Sequence, residues 1–185
     1  YAKYSKRGVW QGIKRIDERP LVVEARERIG DWEADTLIGS RHQGAIVTLV
    51  DRKSKLLRMK KLEHKSAALT KEAMVEQLVD LTVLTITSDN GREFAEFAEV
   101  EKLLKAGFYF ANPYHSWERG VNENTNGLIR QFFPKQTDFA TITDAEIKRV
   151  EEKLNNRPRK TLGYQTPNEV YFKEQEQLRK VALTT

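Results

Sequence analysis

The sequence predicts an α/β fold: a five-stranded mixed sheet, three antiparallel strands followed by two parallel ones, flanked by helices. Three observations carry that expectation. Short alternating or β-branched runs come first in close succession, and stretches rich in Ala, Leu and Glu at helical spacing come later. In the middle of the chain a strand, helix, strand order implies parallel pairing through a right-handed crossover.

Gly30 to Ile38 alternates, with Trp32, Ala34, Thr36 and Ile38 on one side and Asp31, Glu33 and Asp35 on the other, which is the period of a strand. Gly44 to Val50 and Leu56 to Leu62 are two further β-like runs. The polar turn Asp51, Arg52, Lys53, Ser54 joins them, so the first three strands form an antiparallel meander. Ser66 to Leu81 predicts a helix, because Ala67, Met74, Leu78 and Leu81 recur at helical spacing and Ser66 suits its cap. Val83 to Thr87 reads as a buried strand, Glu93 to Ala106 as a helix closed by Gly107, and Phe108 to Ala111 as a fifth strand stopped by Pro113. Late helices are expected over 117–133 and 143–156. The basic turn Arg157, Pro158, Arg159, Lys160 then breaks the chain, and Thr166, Pro167 and Asn168 start a last short helix near Glu169 to Leu178.

A chain of 185 residues with 39% hydrophobic content fits one globular domain with room for flanking segments. No apolar run approaches the roughly 18 residues of a membrane span, and nothing resembles a signal peptide, so a soluble protein is expected. With no Cys there is neither a disulfide framework nor a thiolate metal site, in keeping with a reducing cytoplasm. Tyr1 in place of Met, ahead of a stretch without a core pattern, reads as the start of a fragment. The formal charge is +5, and residues 1 to 28 carry eight basic against four acidic side chains. That excess suits an arm that binds a polyanion, or a solvated basic tail.

Asp35, Asp89 and Glu123 are the candidates for chemistry. Asp89 follows Asp35 by 54 positions (89 − 35) and Glu123 follows Asp89 by 34 (123 − 89), so only folding can bring them together. Three carboxylates converging from separate elements are what a pair of Mg²⁺ ions needs, since hard cations take oxygen ligands. Asp35 shares its strand face with Asp31 and Glu33, and the pattern alone does not choose among the three. Positions two apart on a strand differ by about 6.6 Å, too far for all three to bind one ion. Asp89 follows the carboxyl end of a parallel strand, where open α/β sheets place ligands, although it or Asn90 would equally cap the next helix.

Glu123 lies in VNENTNG, which holds three Asn and one Gly, all poor helix formers, yet Val121, Leu128 and Phe132 keep an apolar stripe. Opposite that stripe Gly120, Glu123, Gly127 and Arg130 line up, and glycines beside a carboxylate would admit a DNA backbone. Arg130 would hold a phosphate with its planar fork. The alternative is an ordinary wet helix face. Asn126 joins Arg130 as a candidate DNA contact, with Arg157, Arg159 and Lys160 of the basic turn. His115 packs, caps or touches DNA near the helix start. Ser116 beside it, with no acid partner, does not make a hydrolase dyad, and three His without Cys do not make a zinc site.

The segments GDWEADTLIG, TSDNGREFA, NPYHSWERGVNENTNGLIRQFFPK and LNNRPRKTLGYQTPNEV, in that order from about Arg19 to Phe172, resemble the bacterial insertion-sequence transposases typified by insertion sequence thirty. These belong to the retroviral-integrase-like DDE recombinases. The resemblance implies a ribonuclease-H-like catalytic core over 30–172, behind a basic arm or linker (1–29) and ahead of a helical tail (173–185). It points to Asp35 rather than Asp31 or Glu33, and assigns Asp89, Glu123 and Arg130 to the site. It further implies two Mg²⁺ ions, with Mn²⁺ as a substitute, transposon-end and target DNA as partners, a homodimer or higher oligomer, and a bacterial, nucleoid-associated setting. The expected chemistry is cleavage of the element end followed by strand transfer. Relatives carry an N-terminal helix-turn-helix region that nothing in residues 1–30 matches. A ribonuclease H or structure-selective nuclease shares fold and metals, but takes its second carboxylate from the first helix, where only Glu72, Glu76 and Asp80 are available. A catalytically idle DNA-binding module is the remaining alternative.

Overall fold

The computed structural model describes residues 12–113 and 120–184. A short helix α1 (Val22–Ala25) leads into strand β1 (Asp31–Ile38), followed by β2 (Ala45–Asp51), β3 (Leu57–Leu62) and helix α2 (Ala67–Leu78). Strand β4 (Thr85–Ser88), helix α3 (Phe97–Leu104) and strand β5 (Gly107–Phe110) complete the sheet. Helices α4 (Gly120–Ile129), α5 (Asp144–Asn155) and α6 (Pro167–Thr184) close the chain.

The sheet order is β3-β2-β1-β4-β5, with β1 antiparallel to β2 and parallel to β4. It is the expected mixed sheet. Gly30 makes the turn into β1 with φ 99°, a left-handed value, and a Cβ there would stand 3.0 Å from Thr82 Cγ2. Alternation then sorts the side chains between two cores. Trp32 and Ala34 join Met74, Leu78, Phe97, Phe108 and Tyr171 on the side of α2, α3 and α6. Leu37 joins Ile46, Val121, Ile129, Phe139 and Leu154 on the side of α4 and α5. The sheet is therefore covered on both faces, and the acid row of β1 looks into the second layer rather than into water.

Several expected boundaries shift. Glu93 to Ala106 is not one helix: a 3₁₀ turn at Arg92–Phe94 precedes α3, and Lys105 in a left-handed conformation, not Gly107, ends it. The break follows from Glu93, which is buried and accepts from Thr36 Oγ1 at 2.7 Å and pairs with Lys65 at 2.6 Å. The last helix is not short. It runs for 18 residues, straight through the boundary drawn at 172, with Tyr171 fully buried on it and Gln175 donating to the Asp80 carbonyl at 3.3 Å. The start of the helix expected at 117 lies outside the described residues.

Residues 12–29 lie against the domain. The Phe110 N–H donates to the Lys14 carbonyl at 2.9 Å, Lys14 pairs with Glu101 at 2.7 Å, and Ile13 packs on the first core. Arg19 is buried and donates to Thr87 Oγ1 at 2.7 Å, while Arg28 pairs with Asp31 at 2.8 Å. Much of the charge attributed to a free arm is thus spent internally. Among the described residues no helix is long and apolar enough to cross a membrane.

Candidate functional site

The register of β1 against β4 pairs Asp31 with Thr85, Trp32 with Ile86 and Glu33 with Thr87, an offset of 54 (85 − 31). Asp35 and Asp89 are separated by the same 54 positions (89 − 35). Asp89 follows directly on Ser88, the last residue of β4, and Asp35 lies two positions beyond the last β1–β4 pair, Glu33 with Thr87, so the register carried forward points the two aspartates toward one another. The capping alternative is not met: Asp89 Oδ1 accepts the Gly91 N–H at 2.9 Å in a turn ahead of the helix, while Gly91 before the 3₁₀ turn and Glu96 before α3 carry no side-chain cap.

The neighbours of the acid row separate the three residues that alternation left equivalent. Asp31 is held by Arg28 at 2.8 and 3.0 Å and by Thr85 Oγ1 at 2.7 Å. Glu33, wholly buried, takes Arg52 Nη1 at 3.0 Å and the Asn122 N–H at 3.0 Å. Burial pushes its carboxyl up, against the pull of Arg52 and the Asn122 N–H. Neither acid lines a solvated face. Asp35 is half-buried, and its Oδ2 accepts from Asn126 Nδ2 at 2.9 Å.

Helix α4 is laid along β1 by positions spaced one turn apart. The Asn122 N–H meets Glu33, Asn126 meets Asp35, and Arg130 Nη2 donates to the Ile38 carbonyl at 3.1 Å. Of the asparagines only Asn126 fastens the helix to the acid row through its side chain; Asn122 does so through its backbone N–H, and its buried amide atoms Nδ2 and Oδ1 have no hydrogen-bond partner. Thr48 of β2 adds contacts of 3.4 Å to Asn126 Oδ1 and the Asp35 carbonyl. Glu123 lies one turn before Asn126, exposed on α4.

Two sequence expectations change here. Of the apolar stripe, Val121 is buried and Leu128 packs against the second core, but Phe132 is 39% exposed, its neighbour Phe133 going inside instead, and Thr125, Ile129 and Asn122 are buried as well. Arg130 is not a free phosphate fork, because it also reaches the Phe133 and Pro134 carbonyls at 3.4 Å and lies 5.4 Å from the Phe139 ring centre. Burial lowers its pKa. Arg157 and Lys160 are exposed, Arg159 is half-buried with Nη2 on the Leu154 carbonyl at 3.0 Å, and His115 lies outside the described residues.

Sequence reasoning missed a buried polar layer beneath the three acids. Glu33, Thr87 and Asn122 precede Asp35, Asp89 and Glu123 by two, two and one positions, and all are buried. They are tied together through Arg52 and Arg19, which share Glu24. The signal available was Arg52, a cation next to a strand end. Its partner Glu33 lies 19 positions away.

Carboxylates without thiols are the donor set a hard cation takes. Among the described residues, however, no three acidic or histidine groups stand together at ligating distance. Asp35 lies on β1 and Asp89 just past the end of β4, and Glu123 would have to turn in from the exposed flank of α4.

A five-stranded mixed sheet in the order β3-β2-β1-β4-β5, covered by helices on both faces, is the ribonuclease-H-like fold of the integrase catalytic cores. The catalytic core domain of BIV integrase superimposes with a TM-score of 0.63 at 20% identity, over 81% of this chain and 98% of that one. By sequence the chain is homologous to the insertion-sequence transposases, insertion sequence thirty included. It is 52% identical over 172 residues to the transposase for insertion sequence element IS4351 of Bacteroides fragilis, covering 92% of this chain and 53% of that protein. Transposase InsI for insertion sequence element IS30A of Escherichia coli K12 is 40% identical over 158 residues, 84% of this chain and 41% of that protein. The chain thus spans about half the length of the curated relatives it matches. No protein-family model matches it.

Proposed function

We propose that this chain is the catalytic core of a DNA transposase, which cleaves transposon-end DNA and joins the freed 3′-hydroxyl to a target strand by in-line phosphodiester displacement. The observation that carries the reading is the register of β1 against β4, whose offset of 54 equals the spacing of Asp35 and Asp89, together with the docking on Asp35, through Asn126, of the helix that bears Glu123. Two Mg²⁺ ions, with Mn²⁺ as a substitute, held by Asp35, Asp89 and Glu123 would supply activation of the attacking oxygen and charge stabilisation at the leaving one. The chain's own part is positional. Asn126 fixes the Asp35 carboxylate, Gly91 fixes that of Asp89, and Gly120 and Gly127, whose missing Cβ atoms would meet nothing within 4 Å, leave the Glu123 flank open to a DNA strand. Arg157, Arg159 and Lys160 would neutralise phosphates without reading bases.

A ribonuclease H arrangement fits less well. Helix α2, which would have to bring the second carboxylate, packs on the opposite face of the sheet from Asp35, and its Glu76 pairs with Lys60 at 3.0 Å. Two element ends must be held together, so the working unit is at least a dimer. A bacterial cytoplasmic place at the nucleoid goes with the same reading.

The test is a Mg²⁺-dependent strand-transfer assay on element-end DNA. Glu123→Gln removes one charge with little change of shape, and is expected to reduce cleavage and joining to background while folding normally. Activity retained in purified Glu123→Gln protein would overturn the assignment.

A further inference from the structure

On the flank of α4 turned away from Glu123 lies a cavity of about 270 Å³, walled by Arg26, Lys55 and Arg159 and by Asn124, Thr125 and Leu128 of the helix. At about 100° per residue, those helix positions sit roughly half a turn around from Glu123, Asn126 and Arg130. Gly120, beside the Glu123 flank, also lines the cavity, so the two meet at the start of α4.

Its charge is unbalanced. Among the described residues none of the three cations has a carboxylate partner: Lys55 Nζ donates to the Arg52 carbonyl, and Arg159 Nη2 to that of Leu154 at 3.0 Å. Arg159 Nε is buried with no acceptor. The nearest acids are already engaged, Glu33 by Arg52 and Asn122, and Asp51 by Gly30 N–H at 2.8 Å and Ser54 at 2.7 Å. Burial, then Arg26, lowers the Lys55 pKa against the pull of Glu33 and Asp51, which lie behind the cavity wall, and burial, then Arg157, lowers that of Arg159. Arg26 and Lys55 reach the cavity from turns with left-handed φ of 55° and 64°. Cations gathered in this way repel one another unless an anion sits among them.

We propose that this cavity seats a backbone phosphodiester of bound duplex DNA, a second contact on the far side of α4 from the acids, reading no bases. The proposal rests on the transposase reading for its choice of DNA. Two guanidinium forks and an ammonium are the donors phosphate takes. A cavity of about 270 Å³ admits a phosphate group among these donors. Exposed Arg157 and Lys160 flank Arg159 and continue the positive surface outward, as a strand requires and a free ion does not.

The experiment measures binding of several unrelated duplexes across a salt series, for wild type and for Arg26→Gln/Lys55→Gln, with circular dichroism to establish folding. The double variant is expected to bind every sequence more weakly by a similar factor, and to lower the slope of log K on log salt by about two, near one per lost phosphate contact. Should the double variant fail to fold, each single variant is expected to lower the slope by about one. An unchanged slope in folded variants overturns the cavity while leaving the Glu123 prediction standing, whereas a wild type that binds no DNA at low salt removes both. Loss confined to one sequence also overturns it. So does a thermal shift by inorganic phosphate that the variants lose while their DNA slope stays unchanged, which would assign the cavity to free phosphate.

Discussion

Asp51 illustrates how one buried side chain sets a property of the protein. Its carboxylate accepts three hydrogen bonds, from Gly30 N–H and from both the N–H and hydroxyl of Ser54, yet burial outweighs them and pushes its pKa up to about 6. The unfolded chain releases that proton near pH 4 and the folded chain keeps it until about pH 6. The contribution of Asp51 is therefore full below pH 4 and falls as pH rises to 6, by about 3 kcal/mol in all. Urea unfolding at steps across this interval is expected to show the decline in wild type and a flatter profile in Asp51→Asn, which is itself less stable by about 1–3 kcal/mol because an amide then faces the Gly30 N–H. Equal slopes in the two proteins would contradict it. The same scale explains why Asp35 could not be chosen from the alternation alone. Asp31, Glu33 and Asp35 have identical phase, and what separates them is Thr85, Arg52 and Asn126, contributed by other elements.

Strand β3 is an edge, and α5 covers it with side chains rather than with another strand. Asn155 Oδ1 accepts the Leu57 N–H and Nδ2 donates to the Leu57 carbonyl, both at 2.8 Å, while Glu151 takes the Met59 N–H at 2.5 Å and Arg58 at 2.9 Å. The unpaired groups that make an exposed edge a template for association are thereby occupied. Asn155→Ala leaves two buried backbone groups without partners and is expected to cost about 2–4 kcal/mol, read as a lower denaturation midpoint at constant slope. A change under about 0.5 kcal/mol would mean that water replaces the amide. Element types and order were legible because hydrophobic period and capping are local, as with Ser66, whose hydroxyl accepts the Leu69 N–H. Where a boundary or face was misread, the deciding contact was remote: Glu93 with Thr36 and Lys65, or α4 with the acid row.

At the scale of the molecule, the segment ahead of Arg19 closes the opposite edge of the sheet. It bridges Arg15 to Phe110, ties Arg15 Nη1 to Asn90 Oδ1 at 2.6 Å and Lys14 to Glu101, and places Ile13 on the core. Ile13 thus packs on its own domain and not on a neighbouring subunit, while Val9 and Trp10 lie outside the described residues. A chain starting at Arg19 is expected to melt several degrees lower and, with β5 uncovered, to scatter more light at equal concentration. An unchanged melting temperature and mass would show that the bridge contributes nothing.

The shared offset of 54 between strand register and aspartate spacing separates length from phase. Residues added to the turn after β2 or to the connection after α2 change how far apart Asp35 and Asp89 are in the chain, yet each remains at its rung. One residue inserted between Thr85 and Asp89 lengthens the chain far less than a rebuilt loop would, but it sends Asp89 to the other side of the sheet. Chain length can therefore vary between the two aspartates without changing their phase, whereas no length change is tolerated within the five consecutive positions Thr85 to Asp89.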